Sequence, residues 1–206
     1  ENNWEGEEIL RQRILTGYTY YGNDNEEADA VTAELLDRFA DMVFAYKGKA
    51  PFFYIPGVST FGRQIDWLEQ RTATPFGMKK GAILAGNASP TPGTDKEGAT
   101  SIIESYCRAD LGKQVCGAAL DVKLHPSATR GENGFSGIVA LLKGFVALDG
   151  YFLQLDVIDG EVLKRAQEDP EAYKTLSVRV SGWNARFVTL NRQWQEMIIE
   201  RTATGL

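Results

Sequence analysis

The residues able to do chemistry in this sequence are few: one histidine, His125; two cysteines, Cys107 and Cys116; and a dense cluster reading Arg179-Val180-Ser181-Gly182-Trp183-Asn184-Ala185-Arg186-Phe187. One histidine and two cysteines outside any CxxC pair fall short of a ligand set, so neither a metal site nor an iron–sulfur cluster is expected. The glycines around Gly77, Gly81, Gly86 and Gly93 raise the idea of a phosphate cradle, but neither GxxxxGK[ST] nor GxGxxG following a strand is present. His125 precedes Pro126, the setting of a loop residue, although imidazole titrates near neutrality and would also suit proton transfer. In the cluster, Ser181-Gly182 is a turn signal after the alternating run Leu176 to Val180, and Phe187 to Leu190 leads into a helix. Glycine there permits backbone angles that other residues avoid.

The words around Gly182 add more. Arg-Val-Ser-Gly-aromatic-x-x-Arg-Phe, followed by a helix ending Ile198-Ile199-Glu200-Arg201-Thr202, resembles the C-terminal signature of the glycyl radical enzymes. Gly182 matches the position whose Cα carries a stable radical in that family. An unpaired electron there is delocalised between the amide nitrogen and the carbonyl, and glycine reaches the planar Cα without side-chain crowding. Gly86-Asn87-Ala88-Ser89-Pro90 and Gly93-Thr94-Asp95-Lys96-Glu97-Gly98 resemble a second block, a loop packed at one end of the family's barrel. Leu124-His125-Pro126-Ser127-Ala128 looks more like the dehydratase, decarboxylase and other lyase branches than the pyruvate formate-lyase branch. Tyr151 to Ile158 matches the penultimate block, where the family usually shows asparagine at the place of Asp156. A buried carboxylate is costly unless paired, so Asp156 is either a paired structural group or a polar group near the radical site.

The resemblance implies an α/β fold: the C-terminal part of a ten-stranded α/β barrel, incomplete without an N-terminal part or a partner chain. Residues 1–74 would be a helical, barrel-supporting segment and 75–206 the glycyl radical domain, with its loop near 179–187. Arg179, Ser181, Trp183 and Arg186 would support the loop, with Asp156 and His125 as further polar candidates. Trp183 stands where tyrosine is commoner, and should still shield the glycine from dioxygen, which cleaves the backbone at the radical. In the family the radical takes hydrogen from a cysteine on a second loop, well upstream, and the thiyl radical then attacks a small-molecule substrate. Cys107 and Cys116 are in the wrong blocks for that and read as structural thiols. The implied partners are therefore a larger cysteine-bearing subunit and an activating enzyme that uses S-adenosylmethionine and an iron–sulfur cluster. No permanently bound cofactor is expected. The implied activity is an oxygen-sensitive, anaerobic lyase; the alternatives are part of a pyruvate formate-lyase-type acyltransferase, or a spare part that repairs an oxygen-damaged enzyme.

The remaining composition sets limits. A formal charge of −6, a pI near 5.0 and the absence of a basic run argue against nucleic acid. No apolar run suits a bilayer span and no signal peptide is visible, so the chain reads as cytoplasmic, which two unpaired cysteines also fit. Glu1 in place of methionine suggests that an N-terminal portion lies outside this sequence. Periodicity predicts helices over Glu7 to Leu15, from the capping run Asn23-Asp24-Asn25 to about Tyr46, and over Lys96 to Cys107. It predicts strands at Phe52 to Ile55, Ala118 to Leu124 and Tyr151 to Ile158, and a charged helix from Asp159 to Gln167. The face formed by Val31, Leu35, Phe39 and Met42 is expected to be buried, as is an all-apolar helix from Gly137 to Leu148 preceded by an exposed turn.

Overall fold

The computed structural model describes residues 2–48, 51–60, 65–180 and 182–203. Helix α1 spans Glu8–Gly17, α2 Glu26–Ala45, α3 Gly98–Cys107, α4 Gly131–Ala147, α5 Gly160–Glu168 and α6 Arg192–Ala203. Strand β1 (Ala119–Leu124) pairs in parallel with β2 (Phe152–Val157), Ala119 opposite Phe152 and Leu124 opposite Val157. Parallel neighbours need a long crossover, and α4 provides it. The inner face of β1 buries Leu120 and Val122 against Ile102, Ile103 and Tyr106 of α3 and Phe145 of α4. The Tyr106 hydroxyl donates to the Ala118 carbonyl and accepts from the Phe152 amide at 3.3 Å, clamping the starts of both strands.

A second core holds the other half of the chain. Val178 and Val180, Leu163 and Ala166 of α5, Phe187, and Met197 and Ile198 of α6 pack together with Ile65 and Ile83. Short strands β3 (Ser177–Arg179) and β4 (Asn184–Arg186) form an antiparallel hairpin on this core, Arg179 opposite Asn184. Strand β4 has no counterpart in the expectations from sequence: Asn184-Ala185-Arg186 is too short to show a period of two, and the pairing with β3 creates it.

Helix ends follow their local chemistry. The Asn25 side chain accepts from the Ala28 amide at 3.0 Å and starts α2, and Asp159 accepts from the Glu161 amide at 2.9 Å and starts α5. Helix α4 begins at Gly131, so the stretch expected to be a turn is its first two turns of helix.

Three expectations about burial are corrected. Helix α2 turns its small and polar side inward: Ala40 and Asp29 are buried, with Asp29 3.2 Å from the Arg108 guanidinium. Its apolar stripe faces outward, Leu35 being 66% exposed. Phe52 to Ile55 forms no strand, and Phe53 is 98% exposed. Helix α4 buries Gly134 and Phe145 but leaves Phe135, Leu142 and Val146 open, Val146 at 72%. In each case the composition is that of a core residue, and no element among the described residues covers it.

Candidate functional site

The β3–β4 register places Gly182 in the turn of the hairpin, which is closed by the Val180 amide donating to the Trp183 carbonyl at 2.9 Å. Two-residue hairpin loops favour glycine because they require positive φ. Gly182 has φ +76°, and a Cβ built on it would meet no atom within 4 Å. Glycine is thus selected here by backbone angle, with open space around it. Gly182 is exposed and Trp183 is 50% exposed, so the aromatic does not by itself shield the glycine within this chain. Ser181 lies outside the described residues.

Gly182 borders a cleft of about 200 Å³ whose opposite wall is Asn87, Asp121, Cys116, Phe152 and Gln154. Asn87 has φ +53° and is the hub of that wall. Its amide donates to Asp121 Oδ2 at 2.7 Å, and its carbonyl oxygen accepts from the Thr60 amide at 2.9 Å. This ties the loop before α3 to β1 and to the 57–60 loop.

Of the residues singled out from sequence, Arg179 and Asp156 are brought together. Arg179 Nε donates to Gln154 Oε1 at 3.0 Å, and Gln154 Nε2 donates to the two Asp156 oxygens at 3.3 and 3.1 Å. Asp156 is buried and hydrogen-bonded, and it is linked through Gln154 to the hairpin. Arg186 is exposed on β4. His125 is not at the cleft. It follows β1, where Nδ1 accepts from the Ser127 amide at 3.2 Å and caps the turn Pro126–Thr129, and it lines a different cavity of about 320 Å³. Asp95 also lines that cavity, and burial pushes its carboxyl above the usual range.

The two cysteines have different surroundings. Cys107 packs against the β1–α3 core, and burial, with Asp149 nearby, pushes its thiol up to about 11. Cys116 is exposed and lines the Gly182 cleft, so packing does not account for it. Among the described residues no group of three or more His, Cys, Asp or Glu is placed to hold a metal ion, and no helix is long and apolar enough to cross a membrane.

Gln154, Asp121 and Phe152 are cleft residues to which sequence reasoning gave no role, and Cys116, expected as a structural thiol, is exposed there. The period of two along β2 does place Gln154 on the same face as Asp156. Nothing in sequence brings that face to the hairpin.

With this hairpin and fold, the chain belongs to the glycyl radical enzyme family. The family model described as glycine radical matches residues 84–188, and one described as pyruvate formate lyase-like matches residues 1–65. The chain is 33% identical over 202 residues to the probable dehydratase YbiW of Escherichia coli (strain K12), covering 95% of this chain and 25% of that protein. It is 35% identical over 211 residues to isethionate sulfite-lyase of Bilophila wadsworthia (strain 3_1_6), covering 98% of this chain and 24% of that one. The glycerol-bound structure of the B12-independent glycerol dehydratase from Clostridium butyricum superposes with a TM-score of 0.90 at 31% identity, over 98% of this chain and 25% of that one. The chain thus spans about a quarter of the length of these relatives, and its α/β fold corresponds to the C-terminal part of their barrel. The exposed apolar faces of α2 and α4 are consistent with that share.

Proposed function

We propose that this chain is the radical-bearing part of a glycyl radical lyase, with Gly182 as the carbon that stores the unpaired electron. The observation that carries the reading is the position of Gly182: the turn of a hairpin inside the matched family segment, at positive φ, free of steric contact, and open to a cleft. The transfer is a hydrogen-atom exchange. A cysteine thiol on the portion of the enzyme outside this chain gives its hydrogen to the Gly182 Cα, leaving a thiyl radical that abstracts hydrogen from a small-molecule substrate. An activating enzyme of the S-adenosylmethionine and iron–sulfur type removes the Gly182 hydrogen beforehand, reaching it through movement of the hairpin. Within the chain, residues 75–206 act as the radical domain and 1–74 support the barrel. Arg179 holds the hairpin strand, Trp183 completes the shield once the missing wall is present, and Asp156 acts through its hydrogen-bonded neighbour.

The names of the relatives, a probable dehydratase and sulfite-lyases among them, favour a lyase over an acyltransferase. The large uncovered apolar faces of α2 and α4 favour an obligate assembly over a repair piece, which would have to be stable alone. The test is anaerobic activation of the assembly formed with a cysteine-bearing barrel portion, followed by electron paramagnetic resonance. The signal is expected to be a doublet, split by the one hydrogen left on the Gly182 Cα, and to collapse when that hydrogen is replaced by deuterium; a radical located on another residue would overturn the assignment.

A further inference from the structure

We infer that Gln154 is a positioning residue, the side chain that docks the glycine hairpin onto the paired strands β1 and β2. The hairpin and Gln154 belong to different bodies. Val178 and Val180 are buried in the core shared with α5 and α6, whereas Leu153 and Leu155, either side of Gln154, pack on the core of β1, α3 and α4. Such separate cores leave the angle between the two bodies weakly fixed by apolar contact, because burial is non-directional. A hydrogen bond is directional, and the Arg179 Nε to Gln154 Oε1 bond at 3.0 Å crosses from one body to the other. Arg179 is the last residue of β3, three positions before Gly182, so fixing its side chain fixes the tip. Gln154 also lines the cleft that Gly182 borders.

The side-chain type is determined at both ends. Guanidinium can only donate and the two Asp156 oxygens accept from Gln154, so the residue between them needs an acceptor toward one and a donor toward the other. A primary amide supplies both, and one orientation alone satisfies the pair. Asp156, buried on the same face of β2, takes the two N–H contacts of Gln154 and thereby sets which way its carbonyl points. Asp156 is in this sense the base of the device, Gln154 the latch and Arg179 the catch.

The importance of this docking for radical storage rests on the reading of Gly182 above, but its test does not. In the assembly of this chain with the cysteine-bearing barrel portion, hydrogen exchange is followed by mass spectrometry in segment 177–187 of this chain, with segment 98–124 as the internal reference. Q154L removes both polar ends at similar volume. It is expected to speed exchange in 177–187 by roughly 10- to 100-fold, the range for losing a hydrogen bond to a charged group, and to leave 98–124 unchanged. Q154E/D156N reverses the polarity of the lower bond while keeping an acceptor for Arg179, and is expected to return 177–187 to the parent rate. An unchanged rate in Q154L, equal acceleration of both segments, or failure of the double variant to restore protection would each overturn the role of Gln154. Absence of a glycyl radical signal alongside the expected exchange pattern would instead sink the reading of Gly182 and leave the docking role standing.

Discussion

Gly182→Ala separates conformational demand from radical chemistry, because the structure isolates the cost of the methyl group. At φ +76° an L-residue is in the left-handed region, and no atom lies within 4 Å of the added Cβ, so there is no collision to add to the backbone cost. That cost is about 1–2 kcal/mol. Gly131 provides a matched control: φ +66°, again with nothing within 4 Å, at the first residue of α4 and away from the cleft. Both alanine variants should therefore lose about 1–2 kcal/mol in urea unfolding and remain folded. Only Gly182→Ala should lose the paramagnetic signal after anaerobic activation, and only it should escape the oxygen-dependent cleavage that leaves a fragment ending near Ser181. A signal that persists unchanged in Gly182→Ala, or one that disappears equally in Gly131→Ala, refutes the assignment. A loss above about 4 kcal/mol in Gly182→Ala would show that packing, absent from the geometry, also acts there.

Alkylation at neutral pH should fall on Cys116, which is exposed, and spare Cys107, whose burial disfavours the thiolate; peptide mapping that finds Cys107 modified first would contradict this. Because burial raises the Asp95 carboxyl above its ordinary 3.8, ionising it costs the folded state. Its contribution is greatest below that value and declines as pH rises through the raised one, so Asp95→Asn should flatten this slope and exceed the parent in stability at neutral pH, read from urea midpoints. Leu35→Lys and Val146→Lys change exposed side chains and should alter the chain's own stability by no more than about 0.5 kcal/mol. They should nevertheless weaken co-purification with a cysteine-bearing barrel portion, and unaltered recovery would mean that these faces are not the ones covered.

The sequence and the structure agree where the controlling interaction is local and part where it lies outside the segment. The capping run before α2, the charged helix from Asp159, the α3 periodicity and the alternation of β1 and β2 depend on neighbours within a few residues, and all are readable, while the structure selects Asn25 and Asp159 as the capping side chains. The turn at Gly182 is readable for the same reason. Strand β4 and the role of Gln154 are not, since both are created by partners reached only after the chain has folded back: Asn184 by Arg179, and Gln154 by a side chain on another core. The misread surfaces of α2 and α4 are a different kind of failure. An apolar stripe such as Val31, Leu35 and Met42 reports that something will cover it, and periodicity carries no information about which polypeptide supplies the cover. In this chain no element among the described residues covers that stripe, and the chain spans only about a quarter of the relatives' length, so the pattern and the structure part over what lies within the segment. The exposed Gly182 follows the same logic: its hairpin is fixed by residues of this chain, while the shield that the proposed function requires is not supplied by the half-exposed Trp183.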